Sequence, residues 1–360
     1  MNTVAGALLA ALLVLPLAAC SSDDAESAPD PTGPTGSTGS TGAADAADLE
    51  ALWTADLLVP PNGAGGVDAV SQGYFIGAGS MDNSAGTTNP TPNVALDYGI
   101  GDAETGEIVS MAPLPGLPGT VQAIPGTDLF VAVAPSGWEL TQGGPRVTGH
   151  RVGVVDPATA SFLWTRRSVG SEVLGMSATR IYLGHDTAKG QPICFSVDDG
   201  SLTRDAECRD SMWTTTEGVD GVTWSANERL VDLPTGEQVT IPVTQAQDEA
   251  SSEPLWTYGD TSVWVEGGDV GYQTSTFARS DLGLVRVDYT YSGTDPYASN
   301  TPVSPWPDAV LQLVDPRTGE VTSTLGQVRS GTLVGFAGDI AIFEHAGATG
   351  LRAAGYRLTD

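Results

Sequence analysis

A short turn motif recurs along this 360-residue chain and constrains its fold more than any other feature. Its clearest copy is Asp-Pro-Arg-Thr-Gly-Glu at residues 315–320, set between two apolar, β-branched runs. Asp and Thr side chains accept hydrogen bonds from nearby backbone N–H groups, and Gly supplies the positive φ that closes the turn. The motif therefore predicts a β-hairpin. Related turns occur at residues 102–107, 156–160, 198–201 and 233–237.

The spacing of these turns predicts a repeat architecture. Between the turn glycines or their replacement, at positions 106, 160, 200, 236 and 319, the gaps are 54, 40, 36 and 83 residues, and 83 is close to twice 41. A period near 40 with four short strands per unit is typical of β-propellers. No segment after residue 50 keeps a helical period, so we predict an all-β fold. Upstream hairpins are predicted at residues 121–133, 256–265 and 333–343. With one decayed unit between Ile241 and Asp308, the count is about seven four-stranded blades, and six is the alternative.

The two ends of the repeat region are predicted to pair with each other. The last copy, at residues 356–360, stops where an outer strand should begin, and residues 49–55 have the pattern of an outer strand with a closing Trp53. Pairing them would close the ring and remove an open sheet edge. Trp53 and Trp164 are interpreted as packing between blades. At Ala160 the turn glycine is missing, so we expect that turn to change type.

The N-terminus has the pattern of an export signal. Residues 4–19 are apolar without interruption, and the chain becomes polar directly after Cys20. This run is shorter than the roughly 20 residues of a membrane span and suits the core of a signal peptide at residues 1–19. The run Leu17-Ala18-Ala19-Cys20 resembles the bacterial lipobox, which implies cleavage before Cys20 and a lipid on that cysteine. A plain secretory signal with an incidental cysteine is the alternative.

Residues 20–48 are predicted to be a disordered tether, because Ser, Thr, Gly, Pro, Ala and Asp dominate the segment and cannot bury enough apolar area to fold. The propeller domain is predicted to span residues 49–360. A lipid on Cys20 would place that domain outside the cytoplasm, attached to the outer face of the cytoplasmic membrane.

Charge limits the partners. Acidic residues outnumber basic ones 44 to 15, which gives a formal net charge of -29. Such a surface repels phosphate backbones, so nucleic acid is excluded as an expected partner.

Cysteine and histidine are scarce. Cys194 and Cys208 flank a predicted turn, and in an exported protein we predict that they form a disulfide, with two buried free thiols as the alternative. His150, His185 and His345 are interpreted as solvated loop residues, and none has the spacing of a metal-binding motif. No calcium loop or nucleophile elbow is present in the sequence. We therefore predict no catalytic, cofactor-binding or metal-binding residue.

A strand ending in Asp, a Thr-Gly turn and a strand ending in Trp recur in whole or in part at three places. These are Val94-Ala95-Leu96-Asp97 with Thr105-Gly106-Glu107, Val154-Val155-Asp156 with Phe162-Leu163-Trp164, and Leu313-Val314-Asp315 with Thr318-Gly319-Glu320. Over residues 50–360 the pattern resembles the pyrroloquinoline-quinone-like propeller superfamily, in a bacterial lipoprotein of actinobacterial type. The quinone-dependent dehydrogenases of that superfamily are longer and carry adjacent paired cysteines, which this chain lacks, so no cofactor is predicted.

Segments that break the repeat are where a partner is expected. Residues 291–307 place Tyr291, Tyr297 and Trp306 among Gly, Ser and Pro, a composition that suits a contact loop, with an ordinary loop as the alternative. The leading hypothesis is a monomeric, lipid-anchored propeller that acts as a non-catalytic binding or scaffold protein for an envelope protein or a small ligand. The alternatives are a quinone-dependent oxidoreductase-like enzyme using the central channel and an envelope sensor domain.

Overall fold

The computed structural model describes residues 46–57, 63–81, 93–141, 144–168, 170–185, 193–203, 218–232, 238–259, 263–266, 269–291, 306–347 and 351–359. All of them lie in one compact unit, Gly42–Asp360. Their regular structure is entirely β, arranged as six antiparallel sheets. No helix of this described part is long and apolar enough to span a membrane.

The sheets follow one another along the chain, and each is one blade of a propeller. Strand β1 (Ala51–Asp56) belongs to the last blade. The first blade contains β2 (Gly63–Val70), β3 (Tyr74–Met81), β4 (Val94–Ala95), β5 (Tyr98–Asp102) and β6 (Ile108–Met111). The second contains β7 (Thr120–Ala123), β8 (Phe130–Thr141), β9 (Gly144–Asp156) and β10 (Ser161–Ser168). The third contains β11 (Gly170–Met176), β12 (Arg180–His185), β13 (Ile193–Ser196) and β14 (Leu202–Thr203).

The remaining blades follow in the same way. The fourth contains β15 (Gly218–Val219), β16 (Val222–Asp232), β17 (Gln238–Asp248) and β18 (Pro254–Tyr258). The fifth has five strands, β19 (Val263–Glu266), β20 (Asp269–Ser280), β21 (Gly283–Tyr291), β22 (Asp308–Val314) and β23 (Val321–Val328). The sixth contains β24 (Gly331–Ala337), β25 (Ile340–Ala346), β26 (Leu351–Arg357) and β1.

The first and last strands close the ring. β1 pairs antiparallel with β26, with Thr54 opposite Ala354, and β2 of the first blade contacts β24 of the sixth. This confirms the predicted all-β propeller and its closure by pairing of the terminal strands. The chain before β1 is also bonded to the fifth blade. The Leu49 N–H donates a hydrogen bond to the Gln327 carbonyl at 2.8 Å.

The structure has six blades, the alternative to the preferred count of seven. The count of seven was wrong because one predicted turn was assigned to the wrong place in its blade. Residues 233–237, predicted as a copy of the turn, fall between the second and third strands of the fourth blade, whereas the copies at 102–107, 156–160, 198–201 and 315–320 join the last two strands of their blades. The equivalent turn of the fourth blade is at Asp248, whose Oδ1 accepts from the backbone N–H groups of Ala250 and Ser251 at 3.1 and 3.0 Å. The sequence interval interpreted as a decayed seventh unit is occupied by this turn and the five-stranded blade.

Two of the three predicted upstream hairpins are confirmed, as β7–β8 and β24–β25. The third, at residues 256–265, is wrong. Its first half lies in β18 of the fourth blade and its second half in β19 of the fifth. Trp256, at the start of that segment, therefore lies on an outer strand, as Trp53 and Trp164 do.

The Asp turns have the predicted chemistry. Asp315 Oδ1 accepts from the N–H groups of Arg317 and Thr318 at 2.8 and 3.0 Å, and Gly319 has φ 73°. The turn at Ala160 differs from these as expected, because the Ala160 N–H donates to the carbonyl of Pro157, three residues earlier, at 3.2 Å, whereas the Gly319 N–H donates to that of Asp315, four residues earlier. Ala160 nevertheless keeps a left-handed φ of 47°.

The core is distributed between the blades. Four buried apolar clusters lie between neighbouring sheets, and each combines residues of both. The cluster between the second and third blades, for example, includes Val152, Trp164, Ile181 and Phe195. Each blade therefore depends on its neighbours for burial, as expected of a radial repeat.

Candidate functional site

A cleft of about 960 Å³ lies between the second and third blades. Its walls come from β8, β9 and β10 on one side and from β13, β14 and the turn between them on the other. The volume is within the range of small-ligand sites, roughly 300–1,000 Å³.

Trp164 fixes the two walls at one end of the cleft. Its Nε1 donates to the Val197 carbonyl of the third blade at 2.6 Å, and its ring stacks on Phe195 with centroids 6.0 Å apart. The indole also lies so close to Gly200 that a Cβ there would be 2.6 Å from it. The indole thus sets the separation between β10 and the turn of the next blade.

Arg166 joins the same two blades. Its Nε donates to the Gly200 carbonyl at 3.3 Å, its Nη2 to the Asp199 carbonyl at 2.8 Å, and its Nη1 to the carbonyl of Thr165 at 3.0 Å. The guanidinium carbon lies 5.9 Å from the Trp164 ring centroid, within cation–π range. Arg166 therefore lines the cleft in a fixed position.

Two further arginines, Arg151 and Arg167, line the cleft from neighbouring strands. They are direct partners in the β9–β10 register, so their side chains share one face of the sheet, and alternation along the strands makes it the face opposite to the one from which Arg166 reaches the third blade. Arg151 is half-buried and Arg167 is exposed. Within the described part of the chain, neither has a hydrogen bond or an ion pair from its side chain to another residue.

Asp199 is the carboxylate of the cleft. Hydrogen bonds from the Ser201 backbone N–H and hydroxyl, and from the Ser196 hydroxyl, hold the pKa of Asp199 below its usual value, and the nearby Arg166 lowers it further. The carboxylate therefore stays ionised while it caps its own turn. It offsets part of the positive charge of Arg166.

Apolar and hydroxyl groups complete the lining. Ile193 and Phe195 are buried, while Val147 and Leu202 keep 40% and 47% of their surface exposed. The Ser168 hydroxyl is already bonded to the backbone of Gly170, so it is a structural group. The arrangement can bind a molecule that has both an apolar part and hydrogen-bond acceptors.

Metal ligands are not grouped in the described residues, where no three His, Cys, Asp or Glu side chains come together.

The predicted cysteine sites are only partly within the described chain. Cys20 lies outside it. Cys194 is fully buried in β13, next to Tyr182. Cys208 also lies outside the described residues, so the Cys194–Cys208 disulfide stays a prediction.

Of the three residues of the predicted contact loop, the two within the described chain, Tyr291 and Trp306, do not line the cleft. Tyr291 ends β21 in the fifth blade, where its ring lies 6.4 Å from that of Tyr289 and packs on the core between the fifth and sixth blades. Trp306 is half-buried just before β22. Tyr297 lies outside the described residues.

The histidines are strand residues, so the prediction of loop positions is wrong. His150 lies in β9 and lines the cleft, and His185 ends β12. His345 lies in β25, where Nδ1 is 3.0 Å from the Ser330 carbonyl and Nε2 is 3.0 Å from the Tyr356 hydroxyl. Burial lowers the pKa of His345, and the charge of Arg352 lowers it further.

Two carboxylates tie the first blade internally and to the sixth. The Glu344 carboxylate accepts from Val67 N–H, and the Asp68 carboxylate accepts from Ala78 N–H. Burial raises the pKa of both carboxyl groups, and the charge of Asp68 adds to the effect on Glu344. Both carboxylates satisfy strand N–H groups, so we assign them a structural role.

Sequence reasoning missed the cleft and its arginines. The available signal was Arg166-Arg167, an adjacent pair of cations in a chain with only 15 basic residues. The opposite residue, Arg151, could be found only from the register of β9 and β10.

Comparisons with known proteins found only distant structural similarity. No family model matches the sequence, and no curated protein matches it. Among solved structures, the chain is similar to the β-propeller domain of the Trilobed protease from Pyrococcus furiosus, with 9% identity over 83% of this chain and 98% of that chain and a TM-score of 0.34. It is also similar to the Dos1 propeller, with 10% identity over 86% of this chain and 95% of that chain and a TM-score of 0.31. The assignment as a propeller rests on the chain's own six sheets.

Proposed function

We propose that this protein is a lipid-anchored extracytoplasmic binding protein that holds a small ligand in the cleft between its second and third blades and has no catalytic role of its own. The observation that carries the proposal is the cleft, which combines ligand-sized volume, exposed apolar side chains and the guanidinium group of Arg166. Concave sites with an apolar lining and a few polar groups are the usual form of ligand sites.

The anchor is supported by the sequence. The apolar run at residues 4–19 followed by Cys20 fits export and lipidation, and the composition of residues 20–48 fits a flexible tether. Export also favours the disulfide between Cys194 and Cys208, which would hold the segment after β14 to the third blade. The quinone-dependent enzyme and the sensor domain stay alternatives from sequence.

Site-specific crosslinking in intact envelopes tests the proposal. A photoreactive phenylalanine analogue is placed at Val147 or Leu202 in the cleft, and at Val109 or Leu52 on outer strands elsewhere as controls. All four residues are exposed apolar side chains, so intrinsic reactivity is matched. We expect a defined small-molecule adduct by intact-protein mass spectrometry at the two cleft positions only.

Equal adducts at the control positions, or none at the cleft positions, would contradict binding in the cleft. The same preparations test the anchor, because metabolic labelling with palmitate should mark the protein and should be lost in Cys20→Ala. Labelling that persists in Cys20→Ala would exclude lipidation at that residue.

A further inference from the structure

We propose that the tether keeps the cleft on the side of the propeller away from the membrane, so that the cleft takes a water-soluble ligand from the aqueous phase and not a lipid from the bilayer. The inference deepens the proposed function and rests on it, since it assumes both the anchor at Cys20 and a ligand in the cleft. It is carried by the place at which the N-terminal chain joins the ring.

Residues 47–49, which we call the latch, hold the chain before β1 on the outer edge of the fifth blade. The Gln327 N–H donates to the Ala47 carbonyl at 2.9 Å, and the same residue accepts at its carbonyl from the Leu49 N–H at 2.8 Å. This is the hydrogen-bond pattern of a parallel bridge, centred on Asp48. The backbone of the latch is therefore bonded to β23.

Side chains of the latch add to these backbone bonds. Leu49 packs on the apolar cluster between the fifth and sixth blades and covers Gly326, where a Cβ would lie 2.6 Å from the leucine. Asp48 pairs with Arg329 at 3.1 Å, but both side chains are exposed, so this ion pair contributes little. Because β1 continues along the outer edge of the sixth blade, the tether leaves the ring at the junction between the fifth and sixth blades.

The cleft lies on the opposite side of the ring. Among six blades, the junction between the second and third is three junctions away from that between the fifth and sixth in either direction. The described residues that line the cleft belong mostly to the outer strands of their blades, and none of them belongs to the innermost strands β7 and β11. The cleft therefore opens at the rim, opposite the latch.

The length of the tether restricts how far the ring can turn over. A chain of the composition and length of residues 20–46 has a root-mean-square end-to-end distance of roughly 30 Å. A folded unit of about this many residues is roughly 50 Å across. Contact between the bilayer and the rim at the cleft would require the tether to span that width, which for a Gaussian chain is on the order of 50-fold rarer than contact at the latch.

Lipid crosslinking from the two sides of the rim tests the inference. A photoreactive phenylalanine analogue replaces Leu163 or Leu202, on the strands that wall the cleft, or Leu52 or Val321, on the strands beside the latch. All four are apolar residues of outer strands and are between 40% and 48% exposed, so their reactivity is matched. The full-length lipidated protein is inserted in phosphatidylcholine vesicles and illuminated, and lipid adducts are counted by mass spectrometry.

We expect lipid adducts at Leu52 and Val321 to exceed those at Leu163 and Leu202 on the order of 50-fold. Insertion of about 60 Gly and Ser residues after Gly42 raises the root-mean-square reach of the tether to roughly 50 Å and should reduce this preference to about fivefold. Thermal unfolding should be the same with and without the insertion, because the latch and the ring are unchanged.

Equal adducts on the two sides of vesicle-bound protein, or a preference that the longer tether does not reduce, would overturn the inference and leave the anchor and the cleft ligand to the tests given above. An excess of lipid at Leu163 and Leu202 would also overturn it, and would indicate that the cleft meets the bilayer and takes a lipid. Failure of the protein to float with the vesicles, together with absence of the palmitate label, would overturn the anchor and this inference together.

Discussion

Within the described residues, some junctions between blades have a docked tryptophan and others do not. Trp53, Trp164 and Trp256 lie on outer strands of the sixth, second and fourth blades, and each Nε1 donates to a turn carbonyl of the next blade at 2.6–2.8 Å. Each indole covers the turn glycine, so that a Cβ there would lie 2.5–3.0 Å from it. The glycines are Gly106, Gly200 and Gly319.

The other described turns of this kind lack that glycine. Ala160 in the second blade and Ser252 in the fourth occupy the same place, with left-handed φ values of 47° and 59°. The described outer strands that precede these blades, β6 and β14, contain no tryptophan. The difference teaches that the indole, and not the backbone angle alone, requires glycine in the turn.

Adding a methyl group under an indole gives the largest expected effect. Gly200→Ala should lower the free energy of unfolding by about 3 kcal/mol, from about 1–2 kcal/mol of left-handed strain and about 1–3 kcal/mol of overpacking against Trp164. Urea denaturation followed by fluorescence measures the change. Gly126→Ala is the matched control, because Gly126 also has a positive φ of 71° but nothing lies within 4 Å of the added methyl.

Gly126→Ala should cost only about 1 kcal/mol, the strain alone. In a double-mutant cycle, Gly200→Ala combined with Trp164→Ala should lower the free energy of unfolding by less than the sum of the two single substitutions, since the methyl group no longer meets the indole. Equal destabilisation by the two glycine substitutions would refute the role given to the tryptophan.

A smaller effect of opposite sign is expected where no indole covers the turn. Ser252→Gly should raise the free energy of unfolding by about 0.5–1 kcal/mol, because glycine removes left-handed strain at an exposed residue and this gain exceeds the added freedom of the unfolded chain. The neighbouring Ser251→Gly is the control. It should destabilise, since the Ser251 hydroxyl donates to Asp248 Oδ1 at 3.2 Å. Destabilisation by both substitutions would show that the Ser252 turn is unstrained.

Most of the fold followed from turn chemistry, because Asp, Thr and Gly have fixed roles in a hairpin. The miscount arose where those roles changed. Residues 248–253 form the expected turn with Ser252 in place of glycine, so this turn lacks the Thr-Gly pair. The Thr-Gly pair at residues 235–236 was taken for it instead. The closing strand and the packing roles of Trp53 and Trp164 were confirmed, because a large aromatic side chain at the end of an outer strand has few other places to pack.

The cleft could not be predicted in the same way. It depends on which residues of β9 and β10 lie opposite each other and on the packing of a second blade against them. Register follows from the whole hairpin, including the shift between Phe162 and Trp164, and a linear pattern does not contain it. The sequence therefore indicated where the repeat breaks, but the candidate site lies within two regular blades.

The junction between the fifth and sixth blades gives the smallest expected effect, a change in pH dependence. In addition to its buried apolar cluster it has polar contacts, with the Tyr289 hydroxyl accepting from Leu333 N–H at 3.2 Å and His345 bonded to the connecting carbonyl of Ser330. A carbonyl only accepts, so His345 donates from Nδ1, and neutral imidazole then accepts from the Tyr356 hydroxyl at Nε2. Burial lowers the pKa of His345 from its ordinary 6.5, so the folded state binds its proton less readily than the unfolded state.

The contribution of His345 to stability is therefore present above pH 6.5 and is lost as the pH falls through that value towards the lower folded pKa. His345→Gln should flatten the rise of unfolding free energy between about pH 5 and 7, measured by urea titration at several pH values. Gly200→Ala should shift the same curve downward without changing its slope, because the substitution adds an uncharged methyl group and removes no titratable group. An unchanged slope in His345→Gln, or a changed slope in Gly200→Ala, would remove the distinction between a polar, proton-sensitive junction and one closed by an indole.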